Sequence, residues 1–129
     1  MRYLLAEEIL AIHDRILFQI GGREGIRDMG LLYSIAERPK TGMLGRDFYS
    51  TLFMKGAASL EALATYHVFV DGNKRTAITV ASLFLKLNGY ELELSEKETL
   101  DFMLAVATKK KSVKEIARWL KDRSKKVVS

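Results

Sequence analysis

An all-α, single-domain bundle of about six helices is the fold this sequence predicts, and three observations predict it. Apolar residues recur at steps of three and four along most of the chain, with capping residues before these stretches and glycines after them. Only one stretch, Tyr90 to Leu94, alternates apolar with acidic residues, and one such piece makes no sheet. A single proline and nine glycines in 129 residues leave little room for a long linker.

The elements follow in order. Leu5, Ile9, Ile12, Ile16 and Ile20 form a first stripe at helical spacing, which Gly21-Gly22 ends. Asp28 is placed to cap a second helix carrying Leu31, Leu32 and Ile35, and Pro39 closes it. A polar stretch with Gly42 and Gly45 leads to Asp47, a candidate cap for a long third helix whose stripe is Phe53, Ala57, Leu60, Ala64 and His67. A fourth helix runs from near Asn73 to Asn88 with Ala77, Ala81, Phe84 and Leu87 inward and Gly89 as its stop. Two capping boxes, Ser95-x-x-Glu98 and Ser112-x-x-Glu115, open helices carrying Leu100, Met103 and Ala107, then Ile116, Ala117 and Leu120. The chain therefore reads as one domain over residues 1–129, with a core at about 3–120 and a basic tail at about 121–129.

Composition removes several function classes. Without cysteine there are neither disulfides nor thiolate metal sites, and two histidines are too few for a zinc site built on imidazoles. The opening Met-Arg-Tyr-Leu-Leu-Ala-Glu-Glu reaches acids too early for a signal peptide, and no apolar run is long enough to cross a bilayer. A cytoplasmic enzyme or binding module is the expectation, without a membrane partner. The net charge of +5 is uneven: from Thr108 to Ser129 nine Lys/Arg face two acids, so residues 1–107 carry −2. That surplus reads first as a solvated face with a frayed end, and second as a docking surface for an acidic partner. Direct nucleic-acid binding is not expected, because no groove-reading or aromatic motif accompanies the lysines.

The chemistry concentrates in His67-Val-Phe-Val-Asp-Gly-Asn-Lys-Arg75. Lys74 and Arg75 fall in the first turn of a helix, where the macrodipole disfavours positive charge by about 0.3–1 kcal/mol per residue. A helix N-terminus is already an anion site, and two added cations make sense if a phosphate occupies it. Gly72 lets an anion approach the backbone. Asn73 is placed to cap the helix, donate to a phosphate oxygen, or both. Asp71 is a single carboxylate, which suits Mg2+ completed by water and phosphate oxygens. Arg75 offers a fork matched to phosphate and Lys74 a mobile point charge. His67 is the candidate base that accepts a proton from an attacking hydroxyl. Each residue alone has a plainer role, as core histidine, helix cap or surface charge; nine residues holding all of them is what favours a site. Phe69 and Val70 read as packing residues, and His13 as a packed or hydrogen-bonded residue beside the first stripe. A P-loop is excluded, since Gly72-Asn73-Lys74-Arg75 lacks the first glycine and the hydroxyl.

These nine residues resemble the Fic/Doc superfamily signature, H-x-F-x-[D/E]-[G/A]-N-[G/K]-R, at every specified position, and Lys74 followed by Arg75-Thr76-Ala77 is similar to the Doc (death-on-curing) branch. Ala11-Ile12-His13-Asp14, Gly25-Ile26-Arg27-Asp28-x-Gly30-Leu31-Leu32, Ala36-x-Arg38-Pro39 and Leu87-Asn88-Gly89-Tyr90 resemble stretches of Doc-like chains too. The resemblance implies a six-helix Fic-type fold and the toxin of a type II toxin–antitoxin pair. It implies His67 as base, Asp71 as magnesium holder, and Gly72, Asn73, Lys74 and Arg75 as the cradle of ATP phosphates. It further implies transfer of the γ-phosphate to a Thr or Ser hydroxyl of a target protein, elongation factor Tu in Doc-like relatives, halting translation. Transfer of AMP, as in adenylylating Fic proteins, is the alternative within enzymes; a non-catalytic antitoxin-binding co-repressor is the alternative outside them. Many Fic proteins inhibit themselves through [S/T]-x-x-x-E-[G/N]. Here the one Glu-Gly or Glu-Asn pair is Glu24-Gly25, with Ile20 four positions before Glu24, so the expected brake is an antitoxin acting in trans. Contact with nucleic acid is expected only through that antitoxin.

Overall fold

The computed structural model describes residues 1–127. Six helices, α1 (Ala6–Ile20), α2 (Met29–Glu37), α3 (Leu52–Thr65), α4 (Asn73–Leu87), α5 (Glu96–Ala107) and α6 (Val113–Asp122), make up most of it. A single 3-10 turn, Arg38–Lys40, extends α2. Two short antiparallel ribbons qualify the all-α expectation: β1 (Gly42–Met43) with β2 (Arg46–Asp47), and β3 (Tyr90–Leu92) with β4 (Ser124–Lys126). The second ribbon also corrects the frayed tail. β4 lies in the stretch assigned to the tail, and Lys125 stands opposite Glu91 across the ribbon, so opposite charges support the pairing.

α3 is the axis of the molecule. Lys55 to Leu60 and Ala62 to Thr65 are all buried, and the helix packs chiefly against α4 and α6. Its small residues, Gly56, Ala57, Ala58, Ala62 and Ala64, let both neighbours approach closely; a Cβ on Gly56 would already touch Phe84, Leu85 and Leu120. Around this axis Leu32, Ile35, Leu60, Leu63, Val80, Leu85, Ile116 and Leu120 form a continuous core.

The stripe on α1 is displaced from the one expected. Leu5 and Ile20 are exposed, while the inward face is Ala6, Ile9, His13, Ile16 and Leu17. A histidine in the middle of the face concealed it. Leu87 and Leu100 are likewise more exposed than expected. Asp28 caps α2, accepting from the Leu31 N–H at 3.0 Å. Asp47 does not cap α3; Thr51 does, accepting from the Met54 N–H at 3.1 Å. The Asp47 carboxylate instead accepts from the buried Lys55 ammonium at 3.2 Å, which gives that cation a partner. Of the two expected capping boxes, Ser112 and Glu115 form theirs. Ser95 makes no side-chain cap bond, and the Glu98 carboxylate that would complete the box accepts from the Arg123 guanidinium instead.

Candidate active site

The segment joining α3 to α4 is held from three sides. From inside, Phe69 is fully buried and stacks on the His13 ring, with centroids 3.7 Å apart and planes within 7°. His13 Nε2 donates to the Asp71 carbonyl at 2.8 Å. From the flank, the loop after α1 pairs with it as an isolated antiparallel bridge: the Arg27 N–H donates to the Val68 carbonyl at 2.7 Å and the Val70 N–H to the Gly25 carbonyl at 3.0 Å. From above, the Asn73 side chain closes the segment on itself, accepting from the Phe69 N–H at 3.1 Å and donating to the Phe69 carbonyl at 2.9 Å.

That last pair corrects the capping role expected for Asn73. The N-cap of α4 is Gly72, in the left-handed region at φ +78°, where a side chain is disfavoured and a Cβ would lie 3.2 Å from the Leu17 side chain. Asn73 is the first helical residue, with its amide committed to Phe69. The backbone N–H groups of Asn73, Lys74 and Arg75 have no acceptor among the described residues, as expected for the first turn of a helix. Lys74 and Arg75 are exposed, and neither side chain has an ion pair or hydrogen bond among the described residues. Positive charge at this helix start is uncompensated.

Asp71 is exposed, with both carboxylate oxygens engaged. Oδ2 accepts from the Arg23 N–H at 3.2 Å and Oδ1 from the Gly72 N–H at 2.8 Å. These bonds, that from Arg23 foremost, hold its carboxyl below the ordinary aspartate range. Each oxygen keeps a free lone pair, so an ionised ligand is on hand for a divalent cation. No cluster of three or more His, Asp or Glu exists among the described residues, which leaves Asp71 as a single carboxylate. Because the folded-state value lies below the unfolded one, ionised Asp71 stabilises the fold above the unfolded pKa, and the effect is lost as pH falls through the folded one. In thermal melts, the advantage of the native protein over Asp71→Asn should therefore be full near neutrality and shrink progressively as acid protonates the carboxylate, below the ordinary aspartate range. A difference independent of pH would show that charge at Asp71 does not hold the loop.

His67 departs from the sequence-based placement. It does not continue the α3 stripe: α3 ends at Thr65, Tyr66 is its C-cap, and His67 follows as an exposed residue at φ +52°. This left-handed position after a helix is normally glycine's, sometimes asparagine's, because a Cβ there crowds the backbone. Its imidazole has no hydrogen bond among the described residues. A strained, exposed, unpartnered histidine contributes nothing evident to the fold, and such strain gathers at functional sites. Beside Lys74 and Arg75 a groove of about 520 Å³ opens between α4 and α5, walled by Ile78, Leu83, Leu94, Leu100 and Met103.

Two supports of this segment are not among the residues that the sequence singles out for the site. The Arg23 N–H that tethers Asp71 is a backbone donor, which leaves no trace in residue type. Arg38 sits under the end of α3, visible beforehand only as part of Ala36-x-Arg38-Pro39.

Comparison with known proteins identifies the family. The chain is 39% identical over 109 residues to "Toxin Doc" of Mycolicibacterium smegmatis, covering 83% of this chain and 82% of that protein. It is 35% identical over 121 residues to "Protein kinase doc" of Escherichia phage P1, covering 94% of each. The sequence model of the Fic/DOC family matches residues 3–85, which contain α1 through most of α4 and the whole loop between His67 and Arg75. With the matched stretch exceeding half the chain and both relatives aligned over most of their length, this chain belongs to the Fic/DOC family.

Proposed function

We propose that the protein is a Doc-type toxin, a kinase that transfers the γ-phosphate of ATP to a Thr or Ser hydroxyl of a target protein, and that an antitoxin restrains it in trans. The observation that carries this reading is the positive start of α4, where three backbone N–H groups have no acceptor among the described residues and Lys74 and Arg75 stand exposed in the same turn, a combination suited to a polyanion. The name of the phage P1 relative, a protein kinase, agrees with phosphotransfer. That of the Mycolicibacterium smegmatis relative supports the toxin reading.

In this reading the triphosphate rests against α4, with Arg75 forking onto phosphate oxygens and Lys74 adding a point charge. The helix start and the adjoining groove suit an anionic ligand with an apolar part. His67 takes the proton of the acceptor hydroxyl; the oxygen bonds to the γ-phosphorus, the bond from that phosphorus to the bridging oxygen breaks, and ADP leaves. Asp71 would hold Mg2+, whose charge offsets that of the phosphate oxygens. Asn73, bound to Phe69, contributes its backbone N–H and the shape of the loop. Cytoplasmic action on elongation factor Tu is the target reading that the Doc resemblance supports; no helix of the described residues is long and apolar enough to cross a membrane.

Paired labelling tests it. A cell extract incubated with the protein, Mg2+ and either α- or γ-labelled ATP should gain protein-bound label from the γ position only. Label from the α position would establish nucleotidyl transfer instead, and label from neither would leave a binding module. Lys74 fills space that glycine would leave open, so Lys74→Gly should lower γ-transfer by at least about tenfold, the equivalent of one lost charge-assisted contact of about 1.5 kcal/mol. An unchanged initial rate would remove Lys74 from the phosphate site.

A further inference from the structure

Arg38 lies in the 3-10 turn after α2, outside the signature segment, yet its side chain is bonded through both Nε and Nη1. Nη1 donates to the Ala58 carbonyl at 2.9 Å and to Glu61 Oε1 at 2.8 Å, both on α3. Nε donates to the Tyr49 hydroxyl at 3.1 Å. The guanidinium carbon lies 5.6 Å from the centre of the Tyr49 ring and 5.7 Å from that of Tyr66. Both members of the Arg38–Glu61 pair are only about a fifth exposed, at 20% and 23%. Glu61 is tied in turn to the last turn of α3, its carbonyl accepting from Thr65 Oγ1 at 2.7 Å.

The location of this clamp matters more than its strength. It grips the last two turns of α3 and ends at Tyr66, immediately before His67. On the other side of His67 the Val68 carbonyl is fixed by Arg27. Between these anchors His67 is held at φ +52°, a conformation that a frayed helix end would relax. Tyr49, the other ring on the guanidinium, follows the β1–β2 hairpin, so one side chain braces both that hairpin's exit and the residue preceding His67.

Resting on the reading of His67 as the base, we infer that Arg38 is a positioning residue for His67: its guanidinium, packed against Tyr66 and bonded to Glu61 and Ala58, keeps the end of α3 rigid so that the strained imidazole stays aimed at the transfer site. A misplacement of about 1 Å can cost around 100-fold in rate. Arg38→Gln should therefore lower kcat for γ-transfer to extract proteins by about 10- to 100-fold, with KM for ATP within about twofold. Arg38→Lys keeps the charge but lacks the planar fork, and should not rescue. Tyr66→Leu should reproduce part of the loss, whereas Tyr66→Phe, which keeps the ring, should behave as the native protein does.

The chain has two histidines, so proton NMR supplies a second readout. The His67 ring signals should shift or broaden in Arg38→Gln and in Tyr66→Leu, while those of His13, packed between Phe69 and Asp71, stay in place. A fall in kcat with His67 signals unmoved would overturn the inference, as would full rescue by lysine. Should Arg38→Gln lose its helical circular dichroism, the Tyr66 pair decides alone, and no difference between Leu and Phe there would overturn it. Full activity of His67→Ala would sink the base reading separately, leaving the NMR comparison to judge positioning.

Discussion

His67→Gly should abolish phosphotransfer and at the same time make the protein more stable. The two effects come from one feature. At φ +52° any side chain strains the backbone, and glycine removes that strain. A histidine in the left-handed region costs about 1–2 kcal/mol, of which glycine's greater freedom in the unfolded chain takes back about 0.4–1 kcal/mol, for a net gain of about 0.5–1 kcal/mol. The imidazole forms no hydrogen bond among the described residues, so nothing is lost to offset the gain. Transfer, in contrast, loses its base, a role worth about 10²–10⁴-fold. Because His67 is not part of the α4 start, ATP binding should remain within a few fold, measured by calorimetry with Mg2+ present. A thermal midpoint that falls in His67→Gly would show that the side chain supports the fold, and retained γ-transfer would remove it from the chemistry. His67→Ala separates the two effects, since alanine keeps the Cβ strain and should lose activity without the gain in midpoint.

How much of this was legible in the sequence depends on whether a role lives in residue type or in backbone geometry. The helices were legible because the 3.6-residue period and caps such as Asp28 and Ser112 are carried by side chains. The site segment was legible because a base, a carboxylate and two cations at a helix start have no common structural explanation. The failures share a cause. Asp47 and Ser95 have the right chemistry for caps, but Lys55 and Arg123 compete for the local acids, and which partner wins is decided by tertiary proximity. β3 reads as extended but without a partner, because β4 lies more than thirty residues on and carries lysines that read as solvated. The period carries the α3 stripe on to His67, two residues past Thr65, since it does not mark where Tyr66 stops the helix. Residue type admits Asn73 as a cap, a phosphate donor or both, but the left-handed Gly72 beside it takes the cap position.

The largest loss of stability should follow from Phe69→Ala. Phe69 is the bulkiest fully buried side chain, and it serves the site through both its ring and its backbone. The ring fills the space between α1 and the signature loop in parallel contact with His13, while its N–H and carbonyl are the two groups that Asn73 binds. Truncating a buried phenylalanine to alanine costs about 3–5 kcal/mol, a large part of the roughly 5–15 kcal/mol that holds a domain together. For a chain of this length the thermal midpoint should fall by more than about 10 °C. The loss need not be uniform: with the ring gone, His13 loses the stacking partner that holds its Nε2 against the Asp71 carbonyl, so γ-transfer should fall even at temperatures where helical circular dichroism is intact. Phe69→Leu separates the contributions, retaining most of the buried volume and costing about 1–1.5 kcal/mol while removing the aromatic stack. If Phe69→Leu transfers phosphate at the native rate, the stack with His13 serves only the fold. If Phe69→Ala melts within about 2 °C of the native protein, the loop is not anchored where its burial says it is.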